Sequence, residues 1–173
     1  MMQSLDGYVA GADGRPLEPP GEELHRRFNG YMSELAGLLY GRRMYEVMRY
    51  WDEDRTEWEA HEHDFAAKWR ARPKWVASRT LKSVGPNATL VEGGLESFVL
   101  GLRERIDGEI DVAGPELAAD IADLGLIDEY RLYIRPFVLG GGKPYFARPH
   151  PRLHLAGFER IGEDALELTY RPA

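Results

Sequence analysis

Three short segments of this 173-residue chain combine side chains and backbone suited to holding an anion. Ser78-Arg79-Thr80 sets a guanidinium between two hydroxyls, directly after the apolar run Trp75-Val76-Ala77. Such a trio at a strand end can grip a phosphate through charge-assisted hydrogen bonds. The plain alternative is a polar strand cap entering a turn. Gly41-Arg42-Arg43 follows Leu38-Leu39-Tyr40 and opens a helical stretch. Glycine lets an anion approach the backbone, where the N–H groups of a helix start meet it; two surface arginines on a strand–helix turn are the alternative. Gly114-Pro115-Glu116-Leu117 repeats the arrangement after the strand-like 110–113. Pro115 fixes the first helical position but removes one N–H, and Glu116 favours the helix start while repelling a phosphate. Ordinary helix initiation explains the same residues.

Two further segments carry chemistry of a different kind. Asp6, in Ser4-Leu5-Asp6-Gly7, can hydrogen-bond a bound molecule or relay a proton, and is equally a residue type common in Asp-Gly turns. The glycines of Leu139-Gly140-Gly141-Gly142-Lys143 allow a ligand close approach, or merely let the chain leave a strand. His61 and His63 lie two apart in a helical stretch, so they point to different sides and do not share one metal ion; no metal site is expected. Trp51, Trp58, Trp69 and Trp75 read as core or interface.

The elements that must position these residues follow from periodicity. Leu24, Phe28, Met32 and Leu35 predict a helix over 22–36. Residues 38–40 form a buried strand and 44–50 a second helix. Trp58, His61, Phe65 and Trp69 predict a third helix, ended by Pro73. Strands are expected at 8–10, 75–77, 88–91 and 110–113, and a helix with Leu95, Phe98, Val99 and Leu102 on one face. Leu117, Ile121 and Leu124 stripe the helix after Pro115, with Gly125 at its exit. Residues 130–139 read as a long strand, and 153–158 with 165–170 as a closing antiparallel hairpin. Strands alternating with helices imply an α/β fold with a mostly parallel sheet covered on both faces. There is no repeat, low-complexity tract or linker, so 1–173 is expected to be a single domain.

Composition narrows the function classes. With 22 basic and 29 acidic residues and a formal charge of -7, the chain lacks the basic excess of a nucleic-acid partner. The absence of cysteine excludes disulfides, thiolate catalysis and cysteine-ligated zinc. No apolar run nears the ~20 residues that span a bilayer, and the N-terminus has no signal pattern. A cytoplasmic protein without a membrane partner is expected.

Taken in order, Ser4-Leu5-Asp6-Gly7-Tyr8-Val9-Ala10, Gly41-Arg42-Arg43-Met44-Tyr45-Glu46, Val76-Ala77-Ser78-Arg79-Thr80-Leu81, Gly114-Pro115-Glu116-Leu117, and the stretch from Gly125-Leu126-Ile127-Asp128-Glu129 to Leu139-Gly140-Gly141-Gly142 resemble the riboflavin-biosynthesis reductase domain. That family shares its fold with dihydrofolate reductase, and the closest look is to its stand-alone members. The resemblance implies a three-layer α/β sandwich and NADPH as hydride donor. It implies a small heterocyclic or ribosyl-aminopyrimidine substrate, as in a 5-amino-6-(5-phosphoribosylamino)uracil reductase. Ser78, Arg79 and Thr80 would take the 2′-phosphate of NADPH. Gly41, Arg42 and Arg43 would take a further phosphate, and Gly114, Pro115, Glu116 and Leu117 would face the pyrophosphate. Val9 and Ala10 would face the nicotinamide, Ser4, Asp6, Gly140 and Gly141 the substrate, with Asp6 as the catalytic candidate. A homodimer is common in the family.

The chain departs from the family in places. Met44 stands where a threonine is usual, and Ala113 where riboflavin-pathway reductases often carry an acidic residue. Only three residues precede Ser4, where family members usually have a full strand, so the start is expected to be truncated, shortened or built from a late start codon. These departures keep a second reading open: a nucleotide-binding module of the same fold without turnover. A flavin or folate site with no nicotinamide role is a third.

Overall fold

The computed structural model describes residues 1–149 and 152–173. In chain order the elements are β1 (Met2–Gln3), β2 (Tyr8–Ala10), α1 (Glu22–Glu34), β3 (Gly37–Gly41), α2 (Arg42–Met48) continued by a 3-10 turn (Arg49–Trp51), α3 (Ala60–Ala71), β4 (Lys74–Ala77), β5 (Ala88–Leu90), α4 (Leu95–Arg105), β6 (Ile110–Ala113), α5 (Pro115–Asp123), β7 (Tyr130–Ile134), β8 (Lys143–Pro144), β9 (Leu153–Ile161) and β10 (Ala165–Pro172). Contacts group them into two units, one of His25–Leu124 and one of Met1–Leu24 with Gly125–Ala173.

The unit His25–Leu124 holds the parallel sheet expected for the middle of the chain, in the order β5-β4-β3-β6. β3 is central and its Leu38, Leu39 and Tyr40 are all buried, the continuous apolar run of a strand covered on both faces. Tyr40 pairs with Val76 and Ala113, so with Leu38 these side chains share one face. Met32 and Leu35, Tyr45, and Phe65 and Trp69 of α3 pack there. Burial of each such aliphatic side chain contributes about 1.5–3 kcal/mol. On the opposite side, a Cβ added to Gly41 would stand 3.6 Å from the Leu117 Cβ, which sets α5 against that face. Leu124 does not extend the α5 stripe: the helix ends at Asp123, and Leu124 is exposed at its C-cap before Gly125 turns the chain at φ 69°.

The other unit holds a mixed sheet, β1-β7-β10-β9, and a two-stranded antiparallel pair, β2-β8. β9 and β10 are the expected hairpin, with a register irregularity at Thr169/Tyr170. The two residues of β1 lie parallel to β7 at Tyr133 and Ile134. β7 stops at Ile134 instead of reaching 139, because Pro136 has no N–H to give to a ladder. The chain then turns, with Phe137 N donating to the Arg135 carbonyl at 2.9 Å and Leu5 N to the Phe137 carbonyl at 2.8 Å.

Candidate functional site

In the parallel sheet, Gly41 is opposite Ala77 and Tyr40 opposite Ala113. β3, β4 and β6 therefore finish level with one another. The three segments leaving them, Gly41-Arg42-Arg43, Ser78-Arg79-Thr80 and Gly114-Pro115-Glu116-Leu117, start from one edge, the carboxyl edge of the sheet. This is where open α/β sheets receive ligands. Two of the segments touch: a Cβ on Gly114 would lie 3.6 Å from the Gly41 backbone N and 3.7 Å from the Met44 Cβ. Gly114 has φ 115°, a conformation that favours glycine. α2, α4 and α5 begin from Gly41, Gly94 and Gly114 with no side chain capping any of them, so their first N–H groups meet no side-chain acceptor of the cap residue. α2 is only seven residues long, and offers those N–H groups rather than a long dipole; α5 has nine.

Side chains add charge to this edge. Arg43 and Arg79 are exposed, and among the described residues neither makes a hydrogen bond or ion pair. Arg42 is paired with Glu46 at 3.4 Å, an exposed contact that contributes little and yields easily. The Ser78 hydroxyl oxygen accepts from Thr80 N at 3.2 Å and Leu81 N at 3.0 Å. That turn leaves the Ser78 proton to be donated outward. Met44 packs against the core cluster and Ala113 is buried within it, so neither departure from the family pattern presents a polar group. The ten-residue loop from Ser78 to Asn87 is pinned from α2: the Tyr45 hydroxyl, on a side chain buried in the core, accepts from Gly85 N at 2.7 Å. No local pattern in the sequence marks this contact, which joins residues forty apart.

The residues expected around a substrate come together in the other unit. The exposed Asp6 carboxylate receives the Ser4 hydroxyl at 2.6 Å, Leu139 N at 3.1 Å and Gly140 N at 2.8 Å. The Ser4 bond first, then the two N–H groups, hold it below the usual carboxylate range. It is ionised at neutral pH and anchors the glycine loop. Ser4 is wholly buried, and its oxygen also accepts from Tyr8 N at 3.0 Å. It orients Asp6 and has no open face for a bound molecule. Gly142 fits the loop against β2 so closely that a Cβ would collide with the Ala10 carbonyl oxygen. Ala10 pairs with Lys143, which sets Ala10 beside Gly142 and Lys143 at the end of the glycine loop.

His61 and His63 do diverge. His61 stacks edge-on against His25 at 4.8 Å, and His63 against Trp58 at 5.5 Å. Among the described residues no group of three or more His, Cys, Asp or Glu is arranged to hold a metal ion, and no helix is long and apolar enough to cross a membrane.

Comparison with known proteins agrees with this architecture. The family model of the RibD C-terminal domain matches residues 1–166. An uncharacterized protein of Bacillus subtilis strain 168, YyaP, is 27% identical over 159 residues, 88% of this chain and 80% of that one. Among solved structures, a candidate riboflavin biosynthesis protein of Shewanella sp. PV-4 superposes with a TM-score of 0.78 at 23% identity, covering 100% of this chain and 96% of that one. A Thermotoga maritima diaminohydroxyphosphoribosylaminopyrimidine deaminase/5-amino-6-(5-phosphoribosylamino)uracil reductase gives 0.68 at 16% identity, and the match takes 99% of this chain but 55% of that one. Enterococcus faecalis dihydrofolate reductase complexed with NADP(H) gives 0.62 at 14% identity, over 98% and 92% of the two chains. The chain belongs to the RibD C-terminal domain family, and its fold is the α/β fold of dihydrofolate reductase.

Proposed function

We propose that this member of the RibD C-terminal domain family is an NADPH-dependent reductase. Its substrate is a small heterocyclic or ribosyl-aminopyrimidine compound, of the kind handled by a 5-amino-6-(5-phosphoribosylamino)uracil reductase. The observation that carries this reading is the meeting of three glycine- or arginine-bearing segments at one carboxyl edge of the parallel sheet, with the guanidinium groups of Arg43 and Arg79 unpaired among the described residues. These residues fit a phosphorylated dinucleotide. Arg79, Ser78 and Thr80 hold the 2′-phosphate; Gly41, Arg42 and Arg43, and Gly114, Pro115, Glu116 and Leu117, present backbone N–H groups and charge to the other phosphates. NADPH, when bound, supplies the hydride. Within the other unit, Asp6 holds the loop of Gly140 and Gly141 for the substrate by accepting from Leu139 N and Gly140 N. The same reading makes the protein a cytoplasmic homodimer, which sedimentation equilibrium tests.

Titration of the protein with NADPH and NADH is the deciding experiment. Preference for NADPH, reduced about tenfold or more in Arg79→Ala, is the expected result; a single bidentate charged contact of this kind is worth ~1.5–3 kcal/mol. Equal binding of the two coenzymes by the native chain would sink the assignment. A second reading, binding without turnover, draws on Met44 facing the core, Ala113 lacking an acid and Asp6 being ionised. It predicts coenzyme affinity with no substrate-dependent loss of NADPH absorbance across pteridine and aminopyrimidine candidates.

A further inference from the structure

The loop 78–87 has no strand or helix of its own. Its Ser78 turn is local, and Leu81 and Val84 lean on the core. Its far end is held at Asn87, whose side-chain amide donates to the Arg70 and Ala71 carbonyls at 3.1 Å and whose carbonyl accepts from Lys74 N at 3.0 Å. Between these two ends Gly85 N donates to the Tyr45 hydroxyl of α2 at 2.7 Å. Tyr45 sits two residues after Arg43 on the helix that opens at Gly41, and its ring belongs to the buried cluster of Tyr40, Trp69 and Val76. The hydroxyl is thus a fixed point, built into the core, to which the loop bearing Arg79 is tied. A Cβ on Gly85 would come within 3.2 Å of that hydroxyl, so the approach is close on both sides.

We propose that Tyr45 is a positioning residue for coenzyme selectivity. Its hydroxyl holds the 78–87 loop so that Arg79 and Ser78 stand ready for a 2′-phosphate. The proposal rests on the NADPH reading above. Without the hydroxyl the Gly85 N–H loses its acceptor, the loop samples more conformations, and the ordering cost falls on whichever ligand needs the loop in place. That ligand is NADPH and not NADH, because the two differ only in the phosphate. A residue that merely stabilised the fold would weaken both coenzymes alike.

The test uses Tyr45→Phe, which keeps the ring in the core, and Gly85→Ala, which crowds the same bond from the loop side. For each, thermal melting establishes folding, hydrogen exchange reads the loop amides, and titration gives Kd for NADPH and for NADH. Should Tyr45→Phe fail to fold, Gly85→Ala carries the experiment. The expected result is faster exchange in the loop and a fall of about tenfold in the NADH/NADPH Kd ratio, about 1.4 kcal/mol, with the NADH Kd unchanged. Faster loop exchange with the native ratio would overturn the proposal while leaving the NADPH reading intact. Native protein that binds neither coenzyme, or both equally, would overturn the NADPH reading and this proposal with it.

Discussion

Asp6 shows how a residue picked for chemistry can serve geometry. With three donors on its carboxylate, its lowered pKa is a property of the folded loop. The stabilisation it gives is present above the ordinary carboxylate value and is lost as pH falls through the lowered one. Asp6→Asn should therefore speed amide exchange at Gly140 at neutral pH, while the native loop shows the same loosening only in strong acid. His25 also loses stability in acid, for a different reason. Burial first, and the neighbouring His61 second, push it below its ordinary value. Trp51 and Phe65 close its other sides, and Glu62 and Asn29 only partly compensate. The unfolded chain thus takes up a proton that the fold resists, so stability falls as pH drops below about 6.5. Melting curves over roughly pH 7 to 5 should show a shallower acid loss in His25→Phe than in the native protein; an equal slope would exclude His25 as the cause.

Elements are decided by contacts that single residues make between them. The β2–β8 pair depends on Gly142, whose φ of 146° and contact with the Ala10 carbonyl leave no room for a side chain. Gly141→Ala meets nothing within 4 Å. In urea unfolding, Gly142→Ala should cost about 2–4 kcal/mol and Gly141→Ala less than about 1 kcal/mol; similar costs would show that the approach is not tight. At the start of β4, buried Lys74 donates to the Arg72 carbonyl at 2.8 Å and lies over the Trp69 ring. Burial pushes its ammonium down to about 8 from 10.5. The folded state then releases a proton that the unfolded chain keeps, so stability should rise as pH climbs from about 8 to 10.5. Lys74→Met should flatten that rise in chemical unfolding measured across the interval.

For the whole molecule, ligand linkage is the most direct readout. NADPH at a hundred times its Kd adds about 2.7 kcal/mol to stability, and a chain of this size gains roughly 2–4 °C per kcal/mol. A melting shift of about 5–10 °C is expected with NADPH, and a smaller one with NADH at equal concentration. Equal shifts would speak against a site for the 2′-phosphate.

Periodicity in the sequence determined the order of most strands and helices, though not the short β8, because an amphipathic face must be buried whatever surrounds it: Leu24 and Met32 mark α1, which ends at Glu34, and Trp58 to Trp69 mark α3 to within two residues of its start. The motif order likewise carried the family. What the sequence could not supply is register and long-range pairing. That Gly41, Ala77 and Ala113 end level, that Asp6 spends its oxygens on amides over 130 residues away, and that Tyr45 reaches Gly85 depend on which strands lie side by side. Periodicity reports only which face of an element is buried, whereas these bonds depend on the three-dimensional course of the backbone between elements.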